Sequence, residues 1–248
     1  MVKLDAITQE VLDKISAGFG QSGAFNLRQN GISLCHGDSE HIKIKKKEDK
    51  PGIDIFIDGT TIAEKVYIPV VVSVSGMTDL VYNDFYIEDG ADVTIIAGCG
   101  IHNSGCNESR HDGIHTFHVG KNANVRYEEK HYGEGNGTGS RILNPVTNIE
   151  LGENSVFTLD TVQIKGVDST VRETNVSMDA DAKLFVLERL MTDGEQKAES
   201  NIEVTMNGSG SAAQIISRSV GKGHSSQVFH PRAVGKNKCH AHIQCDSI

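Results

Sequence analysis

Apolar residues recur along this chain at two different periods. Over Asp5 to Ala17, Ile7, Val11, Leu12 and Ile15 fall at helical spacing and Gly18 and Gly20 end the run, which predicts a short amphipathic helix on an end or flank of the main body. Asn26 to Glu40, which includes Cys35 and His36, reads as loop. From His41 the period drops to two: HIKIK, GIDIFIDG and KVYIPVVVSVSG are short, β-branched and closed by Gly, Asp or Ser, as strands are. The pattern divides the chain into a helical and loop segment, residues 1–40, and a strand-rich core, residues 41–248.

Beyond Gly76 a longer period appears. DGADVTII from Asp89, KNANVRYE from Lys121, GENSVFTL from Gly152, DADAKLFV from Asp179, GSGSAAQI from Gly208 and GKNKCHAH from Gly235 each join a polar turn to a strand. Their first strand residues, Val93, Val125, Val156, Leu184, Ala212 and Cys239, lie 32, 31, 28, 28 and 27 positions apart by subtraction. Further strands such as NVSM and QIISRSV intervene, and no helical pattern does. A steady period with two or more strands and no crossover helix predicts the coils of a β-solenoid. A β-sandwich competes, because short alternating strands build it too, but the regular spacing and the repeated small turn residues favour the solenoid. With coils stacked about 4.8 Å apart, the strands at Val93 and Cys239 lie about 24 Å apart along the axis.

Composition narrows the picture. The chain has no Trp and 5% aromatics, so its core is built mostly from Val, Ile, Leu and Ala; 26 Gly against 4 Pro suit many tight turns. A net charge of −9 argues against nucleic acid or an anionic membrane as partner. The dense basic run, Lys43 to Lys47, alternates isoleucine with lysine and reads as an edge strand guarded against stray pairing. Neither the N-terminal residues nor the apolar stretch at Tyr67 to Val74, broken by Pro69, resembles a signal peptide or a membrane span. An odd number of cysteines, five, points to reduced thiols and a cytoplasmic protein.

Candidate chemistry concentrates in two clusters. Cys99, His102, Cys106, His111, His115 and His118 fall within CGIHNSGCNESRHDGIHTFH; His224, His230, Cys239, His240, His242 and Cys245 close the chain. Together they hold twelve of the 5 cysteines and 11 histidines. Thiolate and imidazole suit zinc, iron or iron–sulfur clusters rather than magnesium or calcium. The first cluster matches no zinc-finger spacing, and a polar loop whose imidazoles bond to turn carbonyls explains it equally well. As a strand, Ile114 to Val119 puts His115, Phe117 and Val119 on one side and His118 on the other. As a strand, Cys239 to Cys245 puts Cys239, Ala241, Ile243 and Cys245 on one face, opposite His240 and His242. The two thiols there fit a buried core as well as a site. Gly133 to Gly139 (GEGNGTG) is a turn, since no helix opens after it to hold a phosphate. Glu128 and Glu129 alternate faces and read as solvated. Because the solenoid separates the two clusters, they form two sites unless the Gly98–Asp112 excursion folds back along it.

The tail, IISRSVGKGHSSQVFHPRAV followed by HIQCDSI, resembles the SufB/SufD family of iron–sulfur cluster assembly proteins through Gly223-His224-Ser225 and Gln244-Cys245-Asp246-Ser247. The stretch from IIAGCGIHNSG to HYGEG resembles the short SufB-like proteins, and the likeness runs from Val70 to Ile248. It implies a right-handed parallel β-helix with flanking helical segments, on which a transient iron–sulfur cluster is assembled. It also implies an ABC-type ATPase partner of the SufC kind, a sulfur donor protein and a homodimer formed through the last coils. Cys245 falls on the family's cluster or sulfur ligand, with Cys239, His240 and His242 as neighbouring candidates and the Cys99–His118 group as a secondary metal or sulfur site. Two departures stand out. Ahead of Gly152-Glu153-Asn154-Ser155, where larger SufB proteins place a sulfur-accepting cysteine, this chain has Glu150, leaving Cys99 or Cys106 as substitutes. The sequence also stops before the C-terminal helical region that docks the ATPase. No catalytic residue is expected on this chain. The rival readings are a metal-dependent β-solenoid enzyme, for instance one acting on polysaccharide, and a purely structural subunit.

Overall fold

The computed structural model describes residues 4–20 and 23–248. One helix, α1 (Ala6–Ile15), precedes the strands. Asp5 caps it, accepting from the Thr8 amide at 2.9 Å. Its buried face is Thr8, Val11, Leu12 and Ile15; Ile7, expected on that face, is 41% exposed.

The first strands are β1 (Ala24–Gln29), β2 (Ile32–Gly37), β3 (Ile42–Lys46), β4 (Gly52–Ile57), β5 (Glu64–Tyr67) and β6 (Val70–Val72). The segment read as loop is therefore largely the β1–β2 hairpin, and β1 also pairs in parallel with β5 and β6. Its signal was Asn30-Gly31 between two alternating runs, with both residues at positive φ (46° and 80°) as a two-residue hairpin turn requires. Lysine-bearing β3 lies at the edge of its sheet, paired only with β4, as expected.

From here the chain winds between two sheets. One continues through β8 (Asp92–His102), β10 (Asn124–Glu134), β13 (Val156–Lys165), β15 (Lys183–Thr192), β17 (Ala212–Gly221) and β19 (His240–Ser247). The other continues through β7 (Thr78–Ile87), β9 (Ser109–Val119), β11 (Arg141–Leu143), β12 (Val146–Leu151), β14 (Ser169–Met178), β16 (Lys197–Met206) and β18 (Ser226–Gly235). We call these sheets A and B. From β7 on, every pairing is parallel and joins a strand to its counterpart one coil away, which makes the fold a β-solenoid rather than a sandwich.

One backbone feature sets the coil repeat. Gly90, Asn122, Asn154, Asp181 and Gly210 occupy equivalent turns, all with φ between 58° and 83°. Only Gly, Asn and Asp enter this left-handed region readily. Each also donates its amide to a carbonyl in the next coil's turn: Gly90 to Lys121, Asn122 to Glu153, Asn154 to Ala180, Asp181 to Ser209 and Gly210 to Lys238. The inward strand residue follows three positions later, giving Val93, Val125, Phe157, Leu184 and Ala213 in one column with Ala241. Val156, Ala212 and Cys239, chosen as first strand residues from the sequence, are off this column by one or two positions. The GEGNGTG stretch connects β10 to β11 as an irregular loop stacked on the loop before it, where a Cβ on Gly137 would sit 2.2 Å from the Gly105 carbonyl oxygen.

Helix α1 lies outside sheet A. A Cβ on Gly98 would come within 2.4 Å of the Ile15 carbonyl oxygen, and one on Gly100 within 2.2 Å of Val11 Cγ1. These two glycines let the helix rest directly on β8.

The turn geometry gives a stability test. Asn154→Val forces a β-branched residue into the left-handed region and is expected to cost about 1–2 kcal/mol, with Asn154→Gly close to neutral. Chemical denaturation of the two variants checks it; equal losses would contradict the role assigned to the turn.

Candidate functional site

In-register parallel stacking places every inward residue on an inward residue of the next coil. Two inward columns of sheet A are nearly all apolar: Val93 to Ala241, and Ile95, Tyr127, Leu159, Val186, Ile215 and Ile243. The next column reads Ala97, Glu129, Thr161, Glu188, Ser217 and Cys245. Beside it stand Cys99, His131 and Gln163. From sheet B, Asp79, His111, Asn83, His115, Arg172 and Ser200 point into the same half of the interior, and all six are buried. The solenoid is thus hydrophobic along one side of its axis and polar along the other.

The polar half forms a directed hydrogen-bonded line. Asn83 Nδ2 lies 3.5 Å from His115 Nε2, and His115 Nδ1 lies 2.7 Å from the Tyr127 hydroxyl. Tyr127 donates to Glu129 Oε1 at 3.1 Å. With the tyrosine proton spent there, the network assigns the His115 proton to Nδ1 and leaves Nε2 as acceptor. Arg172 donates a short hydrogen bond to Glu129 Oε2, and its Nε lies 3.8 Å from Glu188 Oε2. Ser200 Oγ and Ser217 Oγ donate to the two Glu188 oxygens at 2.7 and 2.8 Å. A side branch joins Arg28 to Asp79 by a two-pronged pair, with His111 Nδ1 3.1 Å from the same carboxylate. His111 Nε2 has no partner among the described residues. Gly113 makes room for the paired imidazoles, since a Cβ there would sit 3.2 Å from both His111 Nε2 and His115 Nε2.

Buried charges at this density persist only when paired and hydrogen-bonded. Burial pushes the Glu129 carboxyl up, but Arg172 and His131 outweigh it and hold the group well below its ordinary value. Asp79 is likewise held low, by His111 and Arg28 against burial. Burial, helped by Glu129 and Asp79, pushes the Cys99 thiol well up, so Cys99 is a protonated interior thiol.

The first cysteine–histidine cluster does not assemble into one site. Cys99, His111 and His115 enter the interior; His118 points outward, 2.7 Å from Glu150 Oε2 and stacked on Tyr86; His102 sits 3.4 Å from Glu134; and Cys106 is exposed in the loop after β8. The split of His115 and Phe117 from His118 follows the alternation read from the sequence. In the second cluster, His224 is an exposed turn residue and His230 bonds to Asn201 at 3.0 Å on the outer face. Cys239 packs against the end of the core beside Phe229 and Ala233. His240 and His242 are outward and exposed, whereas Cys245 continues the inward polar column and is nonetheless exposed, since among the described residues no strand stacks on β19 beyond β17. Among the described residues no three Cys, His, Asp or Glu side chains converge to hold a metal ion.

Glu129, read as solvated, is 3% exposed. It, His131, Arg172, Glu188 and Ser217 escaped the sequence reading, which followed only thiols and imidazoles outward from their clusters. Their signal was parity: Glu129 and His131 share the alternation of Val125 and Tyr127, so a strand that buries the latter must bury the former.

Burial pushes His115 down from 6.5 to about 4. Between those values the unfolded chain binds more protons than the folded one, so this group's contribution to stability is present above the unfolded value and is lost as pH falls toward the folded one. Acidifying from about pH 7.5 to about pH 5 should remove about 2 kcal/mol through this group. His115→Gln, measured by denaturation across that range, should show a shallower pH dependence by that amount; an unchanged slope would count against a neutral buried imidazole.

No curated protein matches the chain. The family model for the SUF system FeS cluster assembly SufBD core domain matches residues 78–247, which begin with β7 and end with β19. That span is most of the chain and contains the coiled repeat, the interior polar line and the terminal cysteine, and it settles the family: this is a member of the SufB/SufD iron–sulfur cluster assembly proteins.

Proposed function

We propose that this chain is a scaffold of iron–sulfur cluster assembly and that Cys245 is its principal cluster or sulfur ligand. The observation that carries the reading is the end of the solenoid. Among the described residues β18 and β19 are the terminal strands of their sheets, so each has one edge of backbone donors and acceptors without a partner strand there. Ile243, 40% exposed, ends an inward column that is buried in every earlier coil, and Val228, 38% exposed, adds an apolar side chain on the outer face of β18. An unpaired strand edge flanked by apolar side chains is a template for a second chain. A homodimer formed by pairing the last coils covers this end and brings Cys245 against its counterpart.

Cys245 has the properties the role demands. It is a free, exposed thiol, whereas the other cysteine of the interior polar half, Cys99, is buried and protonated. His240 and His242 lie on the opposite face of β19, so within one chain they do not share an ion with Cys245 and serve as co-ligands only from a partner. Of the substitutes for the missing sulfur-accepting cysteine, Cys106 is exposed and reachable by a donor protein, while Cys99 is sealed in the interior. The cluster is cargo, held transiently and passed on. Cooperation with a SufC-type ABC ATPase and placement in the cytoplasm rest on family membership; no described helix is long and apolar enough to cross a membrane.

Anaerobic reconstitution with iron and sulfide separates Cys245 from the other thiols. Cys245→Ser should lose cluster absorbance by more than the about 10-fold that loss of an outer-shell partner costs a metal site, with Cys99→Ser close to wild type. Equal uptake by wild type and Cys245→Ser would remove Cys245 from the role.

A further inference from the structure

The buried carboxylate nearest Cys245 has a use that the scaffold reading leaves open. Glu188, 5% exposed, accepts from two serines on opposite sheets, Ser217 on β17 and Ser200 on β16. Only one of them adjoins the terminal cysteine. Ser217 is the register partner of Cys245 and shares its inward column, while Ser200 is the register partner of Phe229. The coil spacing between β17 and β19 lets inward side chains meet at the neighbouring pair, where the Ser219 and Ser247 hydroxyls are hydrogen-bonded at 3.2 Å. The register therefore sets Ser217 between Glu188, which its hydroxyl bonds, and Cys245 one coil further on.

A carboxylate only accepts, so in the metal-free protein the Ser217 proton is committed to Glu188. When a metal ion replaces the thiol proton, a sulfur–metal bond forms, the S–H bond breaks and the proton leaves to the buffer. The sulfur then carries negative charge and turns from donor to acceptor. When Ser217 turns away, Glu188 keeps Ser200 at 2.7 Å and the Arg172 guanidinium at 3.8 Å, both on Oε2, and gives up the bond on Oε1.

Building on the assignment of Cys245 as ligand, we propose that Ser217 is a positioning residue for it: its hydroxyl turns from Glu188 to the Cys245 sulfur when that sulfur is metallated. Ser217 fixes the sulfur at the end of the polar column and stabilises its metal-bound form, and Glu188 holds the hydroxyl ready in the metal-free protein. Outer-shell hydrogen bonds of this kind are worth about 10- to 100-fold in metal affinity.

The test uses Cd(II) alone as probe, titrated into the reduced full chain at one fixed neutral pH. The readout is the sulfur-to-metal charge-transfer absorbance, with Cys245→Ser subtracted to isolate this thiol. Ser217→Ala should weaken the Cys245-dependent site about 10-fold. Ser217→Thr, which keeps the hydroxyl, should stay within about 2-fold of wild type, and so should Ser200→Ala, which strips the same carboxylate of an equivalent donor without touching the cysteine's neighbour. Ser217→Gly repeats the hydroxyl deletion with different packing should the alanine variant not fold. Wild-type affinity in the hydroxyl-free variants, or equal losses in Ser217→Ala and Ser200→Ala, would overturn the proposal. Identical titrations of wild type and Cys245→Ser would instead remove Cys245 as a ligand, a failure of the earlier reading and visible as such.

Discussion

Coil-on-coil backbone pairing is the constraint from which the other features follow. Each strand from β7 to β17 finds its hydrogen-bond partners in the coil before and the coil after, never in its sequence neighbour. The ladder therefore has to stay in register from coil to coil, and a residue's direction is inherited along the axis. Once Glu129 points inward, its neighbours at Thr161, Glu188, Ser217 and Cys245 point inward too. Stacking also leaves two ends. The N-terminal end is closed by antiparallel hairpins, β1 with β2 and β3 with β4, the latter carrying lysines on its outer edge. At the other end β18 and β19 have no such cover among the described residues.

An inherited inward direction makes a polar interior costly unless it is continuous. A single buried carboxylate without partners is destabilising by several kcal/mol, and removing one member of a buried pair costs about 3–5 kcal/mol. Here the groups are linked donor to acceptor from Asn83 through His115, Tyr127, Glu129 and Arg172 to Glu188, with serines closing the remaining carboxylate valences. The stability of the coil comes from its other half, where Phe85 stacks on Phe117 at 4.4 Å and the Val93 and Ile95 columns run unbroken. Apolar packing stabilises the fold, and the polar line makes the same interior chemically distinctive.

How far this was legible in the sequence follows from the same geometry. The solenoid was readable because its turns need a left-handed residue, and only Gly, Asn and Asp fill Gly90, Asn122, Asn154, Asp181 and Gly210. Anchoring the repeat on the first apolar residue instead of on those positions displaced the columns at Val156, Ala212 and Cys239. The N-terminal hairpin was missed because Asn26 to Glu40 is polar, although Asn30-Gly31 marks its turn. Spacing put Cys245 on one face of its strand and the two late histidines on the other, as found. What spacing along the chain did not convey is which side chains meet across coils: Arg172 and Glu129 are 43 residues apart and belong to different sheets. The cysteine–histidine density of residues 99–118 was a misleading guide for the same reason, because alternation scatters neighbours in sequence to the interior, the outer face and the loop.

The two ends of the polar line differ, and the difference bears on why chemistry would sit at one of them. Near Asn83 and Arg28 the line is buried, and its charges are paired within the chain, Arg28 with Asp79, whose carboxylate also lies 3.1 Å from His111 Nδ1. Toward the other end the triad of Glu129, Arg172 and Glu188 contains two carboxylates and one guanidinium, with Tyr127 and His131 beside Glu129 and two serine donors on Glu188. The column ends at an exposed thiol, Cys245, one coil beyond a serine that donates to a buried carboxylate. On the proposed function a metal ion and a twin coil meet at this one residue, because in-register stacking carries the buried polar column out to the surface at Cys245.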